Sequence, residues 1–162
     1  MTDLSDVDLG HMRSVIARAS AAVEEGNRPF AAVLVAADGA VLAESCDLSD
    51  ATGDPLNHGE LNVLRIAHVN CGLDRIAGAT LYVNSEPCSM CAGAILRYAL
   101  ARVIYGTPAA VSRPYISKNP RGLSFPSAPI FALAGQALQV FPGVLLEEAK
   151  RAFELYGGKA SS

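Results

Sequence analysis

A histidine, a glutamate and two cysteines stand at spacings that suit a catalytic zinc site. His58 and Glu60 are separated by one residue, Cys88 and Cys91 are separated by two, and a proline directly precedes the first cysteine. A catalytic zinc ion takes three protein ligands and leaves its fourth tetrahedral position to water. His58, Cys88 and Cys91 supply that number, and Glu60 is a carboxylate that the metal does not need. The pattern therefore predicts one zinc ion per chain, with Glu60 free to move protons beside it.

These residue types favour hydrolysis of a carbon–nitrogen bond. Bound zinc lowers the pKa of its water to about 7, which supplies hydroxide at neutral pH. A carboxylate in a partly desolvated pocket is suited to take the water proton, pass it to a ring nitrogen of the substrate and later protonate the leaving amine. The combination of H-x-E with P-C-x-x-C is a known signature of zinc deaminases. We therefore predict a hydrolytic deaminase with Glu60 as the proton shuttle.

Each part of the pattern has another interpretation when it is taken alone. A C-x-x-C pair also occurs as a redox pair or as half of a structural zinc site, and a lone histidine is more often a capping or core residue. A structural zinc site would need a fourth ligand. The other histidines, His11 and His68, are expected to be surface or packing residues. Cys46 and Cys71 are interpreted as small, buried, apolar side chains.

Composition favours one compact domain over residues 1–162. The chain has 162 residues, of which 51% are hydrophobic and 18% charged, which suits a single core. Its apolar runs, such as residues 30–37, are far shorter than the roughly 20 residues that cross a bilayer. The N-terminal sequence has no signal-peptide pattern, so we expect a cytoplasmic protein. A formal charge of −3 argues against a surface built for nucleic acid and favours a small-molecule substrate.

The pattern along the chain alternates strands with helices. Five stretches have the length and apolar character of strands: 30–36, 40–45, 79–83, 102–106 and 137–141. Four stretches repeat apolar residues at helical spacing: 9–23, 57–70, 88–98 and 145–156. A tight turn at Asp38-Gly39 joins the first two strands as an antiparallel hairpin. Strands and helices that alternate after this hairpin are typical of a layered α/β fold.

Particular residues mark the expected ends of these helices. Asp6 or Asp8 is available to cap the first helix, and Asn57 is expected to cap the second, which puts the histidine and the glutamate in its opening turn. Both cysteines would lie on one face of the third helix. Gly157-Gly158 is expected to close the last helix. If the second and third helices begin at the same edge of the sheet, their positive ends meet there and favour two thiolates.

Residues 107–130 form the longest stretch without predicted regular structure. The stretch contains five of the nine prolines and no acidic residue. Loops of this length are uncommon in compact domains and are often functional. Two interpretations stay open: a solvated or dimer-facing loop, and a lid over the substrate site that uses Arg113, Tyr115 or Phe125.

The motifs resemble the cytidine deaminase superfamily, in the branch that holds bacterial guanine deaminases, fungal cytosine deaminase and tRNA adenosine deaminases. The similar stretches are Pro29-Phe30, Asp54-Pro55, 58–60, 85–95 and 143–147. The resemblance implies a three-layer α/β/α sandwich with a five-stranded mixed sheet, and usually a homodimer with shared active-site edges. It also implies that backbone groups near Gly59, Glu86 and Cys88 contact the substrate ring.

Asp47 departs from the pattern of that branch. Eleven residues before the zinc histidine, similar enzymes generally carry an asparagine whose amide contacts the substrate ring. An ionised carboxylate only accepts hydrogen bonds, so this pocket should prefer a ring that presents N–H groups. The alternative is that the loop alignment has slipped and Asp47 is an exposed turn residue.

Three further residues are candidates for substrate contact. Glu86 is expected to hold the cysteine turn in place, with a solvated surface carboxylate as the alternative. Phe30 suits the core better than stacking on a substrate. Tyr115 belongs to the proline-rich stretch and would reach the substrate if that stretch is a lid.

Three functions remain open at this stage. The first is a deaminase of a free amino-substituted base, with a guanine-like purine first and cytosine or s-triazine analogues next. The second is a tRNA adenosine deaminase, for which basic residues near the C-terminus are expected, whereas here Glu147 and Glu148 precede Lys150 and Arg151. The third is a non-catalytic, zinc-stabilised interaction module. Glu60 argues against that third function, because a structural zinc site has no use for an unligated carboxylate.

Overall fold

A five-stranded sheet forms the centre of the protein. The structure is a computed structural model that describes residues 4–116, 126–135 and 137–160, with the backbone alone for 159 and 160. The strands are β1 (Ala31–Val35), β2 (Val41–Cys46), β3 (Thr80–Ser85), β4 (Arg102–Thr107) and β5 (Gln139–Phe141). The helices are α1 (Asp6–Glu24), α2 (Ser49–Thr52), α3 (Gly59–Cys71), α4 (Leu73–Ile76), α5 (Ser89–Arg97), α6 (Ala109–Ser112), α7 (Ala128–Ala132) and α8 (Leu146–Ala160).

Strand directions bring the starts of α3 and α5 to one edge of the sheet. The strand order is β2-β1-β3-β4-β5, and β1 is antiparallel to both of its neighbours. β2 and β3 therefore run in the same direction. β4 is parallel to β3 and to β5. Since α3 follows β2 and α5 follows β3, both helices begin beyond the same ends of the strands, and the predicted mixed sheet is confirmed.

Alternating side chains of the strands build two cores on opposite faces of the sheet. Ala32 and Leu34 of β1 belong to the core under α3 and α5, whereas Ala31 and Val33 belong to the core under α1 and α8. This alternation is the period of two that a β-strand imposes on its side chains. Both faces are covered by helices, so the expected three-layer α/β/α arrangement is confirmed.

The caps of the first two long helices differ from those predicted. Ser5 caps α1: its hydroxyl accepts a hydrogen bond from the Asp8 backbone N–H, and the Asp8 carboxylate accepts one from the Ser5 N–H. This reciprocal capping box places Asp8 at the third helical position instead of at the cap. For α3 the cap is His58, because Asn57 instead directs its side chain to the Thr52 hydroxyl.

The stretch 107–130 contains more regular structure than the sequence predicts. It includes α6, a 3₁₀ turn over Arg113–Tyr115 and the start of α7. These elements have five residues or fewer and show no periodicity that sequence reasoning can detect. Phe125, one of the three lid candidates, lies outside the described residues.

α8 passes through Gly157-Gly158 instead of ending there. The Tyr115 ring packs so closely on this helix that a Cβ atom on Gly157 would lie 3.2 Å from its Cδ1 atom. Glycine therefore gives Tyr115 room at the surface of α8, and the two glycines do not act as a terminator. Cys71 also differs from expectation: it is exposed at the end of α3, whereas Cys46 is buried as predicted.

A buried carboxylate ties α1 to the middle of the sheet. Asp8 is 4% exposed and accepts two hydrogen bonds from Arg102, at 2.8 and 3.1 Å, and one from the Tyr82 hydroxyl at 2.6 Å. Burial raises the pKa of Asp8, but the bonds from Arg102, Tyr82 and Ser5 outweigh it and hold the pKa well below its usual range. Burial and the bond to Asp8 raise the pKa of Tyr82. Asp8 is therefore ionised and fully hydrogen-bonded inside the fold.

Candidate metal centre and active site

His58 and Cys88 occupy equivalent positions at the starts of two helices. Each is an N-cap residue with extended backbone angles, φ −75° and ψ 150° for His58 and φ −70° and ψ 168° for Cys88. Cys91 follows within the first turn of α5 and is fully buried. Cys88 thus precedes the helix in which the sequence places it. The extended conformation points its side chain toward His58 across the sheet edge.

The three side chains converge at distances that suit one zinc ion. Their ligand atoms all lie within 4.8 Å of one another, and in the described part of the chain no other histidine, cysteine, aspartate or glutamate joins such a group. His58 Nδ1 is 3.6 Å from Cys91 Sγ and 3.7 Å from Cys88 Sγ. A tetrahedral zinc ion with usual bond lengths separates a nitrogen and a sulfur ligand by about 3.6 Å. The donor atoms therefore fit zinc with little rearrangement.

Protons are distributed unequally among these ligands when no metal is bound. The hydrogen bond from Cys91 and that with His58 outweigh burial and lower the pKa of Cys88 to about 4. The bond to Cys88 and burial raise the pKa of Cys91 well above its ordinary value. Burial by itself lowers the pKa of His58, but the Cys88 bond and the charge of Glu60 raise it to about 9. Zinc needs two thiolates and a neutral imidazole, so its binding releases protons from Cys91 and His58.

Glu60 lies beside the ligands as a buried acid. It is the second residue of α3 and is 8% exposed. Burial and the charge of Cys88 raise its pKa to about 7. A carboxyl group that titrates near neutrality is able both to accept and to donate a proton at physiological pH. Glu60 is outside the three-residue ligand group, which leaves it free for that task.

A cavity of about 100 Å³ opens onto Glu60 and onto two of the ligands, His58 and Cys88. It is lined by Arg28, Phe30, His58, Glu60, Glu86 and Cys88. Phe30 also packs edge-to-face on Phe153, with the ring centroids 5.4 Å apart. Phe30 is half-buried, so it packs against the fully buried Phe153 and also lines the cavity. Tyr115, against Gly157, is not among the lining residues.

No sequence pattern predicts that Arg28 lines the cavity. Its guanidinium lies 5.8 Å from the centre of the Phe30 ring and 3.9 Å from the Asp50 carboxylate. Asn84 fixes this part of the chain, because its side chain donates to Pro29 O at 2.9 Å and accepts from Ala31 N at 2.8 Å. No spacing rule links position 28 to the metal motif. The residue reaches the cavity because β1 lies beside β3.

Asp47 lies behind His58. It is 1% exposed, so the interpretation as an exposed turn residue is wrong. Its Oδ1 atom accepts hydrogen bonds from the backbone N–H of Ser49 at 2.9 Å and from the Ser49 hydroxyl. Its Oδ2 atom is 4.0 Å from His58 Nε2. Asp47 is not among the residues that line the cavity, and its contact with a substrate ring stays a prediction.

Glu86 joins the cysteine turn to both ends of the proline-rich stretch 107–130. One carboxylate oxygen accepts a bond from Ala109 N at 2.9 Å, and the other accepts bonds from Ser127 N and Oγ at 2.8 and 2.9 Å. The interpretation as a freely solvated carboxylate is therefore wrong. Gly59 is buried nearby, and a Cβ there would lie 3.4 Å from backbone atoms of Ala32 and Cys46. The contact of its backbone with a substrate ring stays a prediction.

His11 and His68, which the sequence does not predict as zinc ligands, pack against tyrosine rings. His11 lies on Tyr82 with centroids 4.9 Å apart, and His68 meets Tyr98 edge-on at 5.9 Å. Neither joins the ligand group. The zinc site therefore has three protein ligands within the described residues, which is the number that a hydrolytic zinc site uses.

Three ligands with a free buried acid, carried on this layered sheet, define a zinc deaminase fold and site. Residues 5–107 match the profile of the cytidine and deoxycytidylate deaminase zinc-binding region, and the chain belongs to this family. The predicted zinc cofactor is thereby confirmed.

Relatives of the chain include tRNA adenosine deaminases. The chain is 38% identical over 102 residues to the tRNA-specific adenosine deaminase of Haemophilus influenzae, a match that covers 63% of this chain and 59% of that relative. A solved structure from a study of tRNA:A34 deaminases superposes with a TM-score of 0.72 at 31% identity and covers 88% of this chain and 99% of its own. The guanine deaminase of Nitrosomonas europaea superposes with a TM-score of 0.76 at 18% identity, covering 91% of this chain and 82% of its own. That last similarity concerns the fold alone.

Proposed function

We propose that this protein is a zinc-dependent hydrolytic deaminase that replaces an amino group on a nucleobase ring with oxygen and releases ammonia. The observation that carries the proposal is the position of Glu60, a buried acid beside three metal ligands that does not itself complete the ligand set. A purely structural zinc site would leave this buried carboxyl group without a task, at the cost of its desolvation.

Each residue of the cavity has a separate role in the proposed reaction. Zinc, when bound, supplies hydroxide near neutral pH by lowering the pKa of its water. Glu60 takes one proton from the attacking water and delivers it to the ring nitrogen next to the amino-bearing carbon. It then takes the second proton, from the hydroxyl group now on that carbon, and delivers it to the departing amine, so that ammonia leaves and a carbonyl remains. Phe30 offers an apolar wall for the flat ring. Arg28 offers a positive charge for an electronegative substituent or a phosphate.

Adenine in a tRNA anticodon is the substrate that the comparisons favour. The relatives that are 38% and 31% identical are tRNA adenosine deaminases, whereas the similarity to a guanine deaminase is confined to the fold. The guanine-first preference drawn from the sequence is therefore not supported. The argument from charge against nucleic acid is also weakened, since RNA is what these relatives act on.

A free nucleobase remains the second candidate because of the charge of the chain. The formal charge is −3, and enzymes that hold an RNA backbone rely on lysine and arginine to neutralise phosphates. A free base has no phosphate, so its binding does not require such basic residues. Cytosine, guanine and aminotriazines therefore belong in the same test.

A substrate screen with a matched inactive variant tests this function. Ammonia release is measured for a tRNA anticodon stem-loop, for adenine, guanine, cytosine, isocytosine and aminotriazines, and for the nucleosides. We expect the stem-loop to be deaminated, with inosine in the product. If a free base is turned over and the stem-loop is not, the second candidate replaces the first. If no amino-substituted ring is turned over by the zinc-loaded protein, the proposal is wrong.

Glu60→Gln is the control for that screen. The amide keeps the size of the side chain but does not accept and release protons near neutral pH, so we expect turnover to fall by about 100-fold or more while zinc content and the circular dichroism spectrum stay unchanged. His58→Ala should instead lose zinc. Ammonia release that survives in Glu60→Gln would contradict the proton shuttle.

Three wider expectations from the sequence stay predictions. They are a single domain over residues 1–162, a homodimer and a cytoplasmic location. Within the part of the chain that the structure describes, no helix is long and apolar enough to cross a membrane.

A further inference from the structure

The carboxylate of Asp47 is oriented by its neighbours toward the metal ligand His58. Its backbone N–H donates to Phe30 O at 2.9 Å, which fixes the residue directly after β2. Ser49 occupies Oδ1 with two hydrogen bonds, one from its N–H and one from its hydroxyl. The remaining oxygen, Oδ2, faces His58 Nε2 at 4.0 Å. One oxygen is therefore used to hold the group, and the other is presented to the imidazole.

The two nitrogens of His58 face different groups. Nδ1 lies 3.6 Å from Cys91 Sγ and 3.7 Å from Cys88 Sγ, on the side where the metal binds. Nε2 lies on the side of Asp47. An imidazole that binds zinc through one nitrogen carries a proton on the other, and a carboxylate that accepts this proton's hydrogen bond fixes both the tautomer and the ring orientation.

The burial of Asp47 favours an interaction between its carboxylate and the metal centre. At 1% exposure its negative charge has little access to water, and a buried charge is costly unless it is paired. The side chain that faces it is His58, whose Nε2–H group becomes a more strongly positive donor when Nδ1 binds a dication. The attraction is mutual, so the carboxylate also stabilises the bound metal.

We propose that Asp47 is a positioning residue of the zinc centre, which orients His58 and adds a buried negative charge that strengthens metal binding. This inference rests on the proposed function only in taking zinc as the bound metal. It gives Asp47 a task distinct from contact with the substrate, and it explains why a carboxylate at this position is compatible with a deaminase site.

Zinc affinity in variants of the full chain tests this proposal without any substrate. Asp47→Asn keeps an oxygen for the Ser49 bonds but removes the charge facing His58. We expect its zinc dissociation constant, measured by competition with a chromophoric chelator, to rise by about 10- to 100-fold. The visible spectrum of the cobalt-substituted protein should also shift, because the imidazole is less firmly oriented.

Asp50→Asn is the matched control. It removes the same charge three residues away, from a side chain that is 63% exposed and faces Arg28 instead of His58. Its zinc affinity should equal that of the unmodified protein. If Asp47→Asn does not fold, Ser49→Ala replaces it: loss of the hydroxyl that holds Oδ1 should weaken zinc binding several-fold.

Unchanged zinc affinity in the folded Asp47→Asn protein, or in Ser49→Ala where that variant is used, would overturn the inference. A changed substrate preference of Asp47→Asn with unchanged zinc affinity would overturn it too and assign Asp47 to the substrate. A protein that binds zinc as expected but deaminates nothing leaves this inference standing and contradicts the proposed function alone.

Discussion

Arg28 brings a positive charge to a cavity whose other ionisable lining residues are His58, Cys88, Glu60 and Glu86. Its side chain is 16% exposed, and Asp50 at 3.9 Å is its partner in an ion pair that is open to solvent on the Asp50 side. An exposed pair of this kind is weak, and a ligand is able to compete for the guanidinium. The residue therefore has the charge and the place to bind an electronegative atom of the substrate.

Replacement of Arg28 should weaken substrate binding without slowing the chemistry. A hydrogen bond to a charged group contributes about 1.5–3 kcal/mol, so Arg28→Ala should raise KM by roughly 10- to 100-fold while kcat changes little. Steady-state kinetics on the substrate found in the screen measures both. Arg75→Ala serves as the control, because Arg75 pairs with Asp38 at 2.6 Å and is not among the cavity residues. A drop in kcat alone would place Arg28 in the chemical step instead.

Sequence reasoning finds residues whose types and spacing carry a signal. The types and spacing of His58, Cys88 and Cys91 predict a zinc site, and their ligand atoms lie close together in the structure. Arg28 and the orientation of Asp47 carry no such signal. The position of Arg28 depends on the order of the strands in the sheet, and the orientation of Asp47 depends on the hydrogen bonds that Ser49 donates. Both are properties of the tertiary structure.

At the scale of elements, Glu86 connects the cysteine turn to the two ends of the proline-rich stretch. The three segments form one hydrogen-bonded unit. The start of α6 and the residue before α7 both donate to its carboxylate. Each of these bonds satisfies a backbone N–H at or near a helix start, a group that otherwise lacks a partner within the helix. The same residue lines the cavity, so the position of these short helices is coupled to the active site.

Glu86→Gln should disturb this unit while preserving the shape of the side chain. One carboxylate oxygen becomes an NH₂ group that faces a backbone donor, so one of the two connections is lost. Loss of a hydrogen bond to a charged group costs about 1.5–3 kcal/mol, and we expect a lower melting temperature together with a reduced kcat/KM. Glu44→Gln, on the exposed side of β2, is the control. Equal melting temperatures and activities for the two variants would contradict a connecting role for Glu86.

Long elements are predictable from the sequence, and short ones are not. The four long helices repeat apolar residues over enough positions to show a period, and the five strands are predicted from the length and apolar character of their stretches. α2, α4 and α6 have four residues each, about one helical turn, and no period shows over one turn. The end of α8 is missed for a different reason: glycine usually ends a helix, but here Gly157 accommodates the Tyr115 ring.

At the scale of the whole molecule, Asp8 connects three elements that are far apart in sequence. Its bonds to Tyr82 and Arg102 join α1 to β3 and β4. Removal of one partner from a buried ion pair leaves the other charge without compensation. The stability of the fold should therefore depend on the ionised form of this one carboxyl group.

Asp8→Asn should lower the free energy of unfolding by about 3 kcal/mol at pH 7. The folded-state pKa of Asp8 lies below its ordinary value of 3.8, so its stabilisation is complete above about pH 4 and is lost as the pH falls through the folded-state pKa. The difference between the unmodified protein and the variant should thus shrink below pH 4. Urea unfolding at pH 7 and at pH 3 measures it.

Glu148→Gln is the control for this measurement. Glu148 pairs with Arg13 at 3.4 Å, with side chains 38% and 57% exposed, and exposed pairs contribute less than about 1 kcal/mol. If the two variants are equally stable at pH 7, the importance given to Asp8 is wrong.

The metal centre and the Asp8 network lie in different layers of the sandwich. Bound zinc would join the starts of α3 and α5 on one side of the sheet, whereas Asp8 fastens α1 on the other side. A chelator therefore removes a cross-link from one layer, and strong acid removes one from the opposite layer. Each treatment leaves intact the apolar packing that the other layer makes with the sheet, so demetallation at neutral pH should yield a loosened protein and not an unfolded chain.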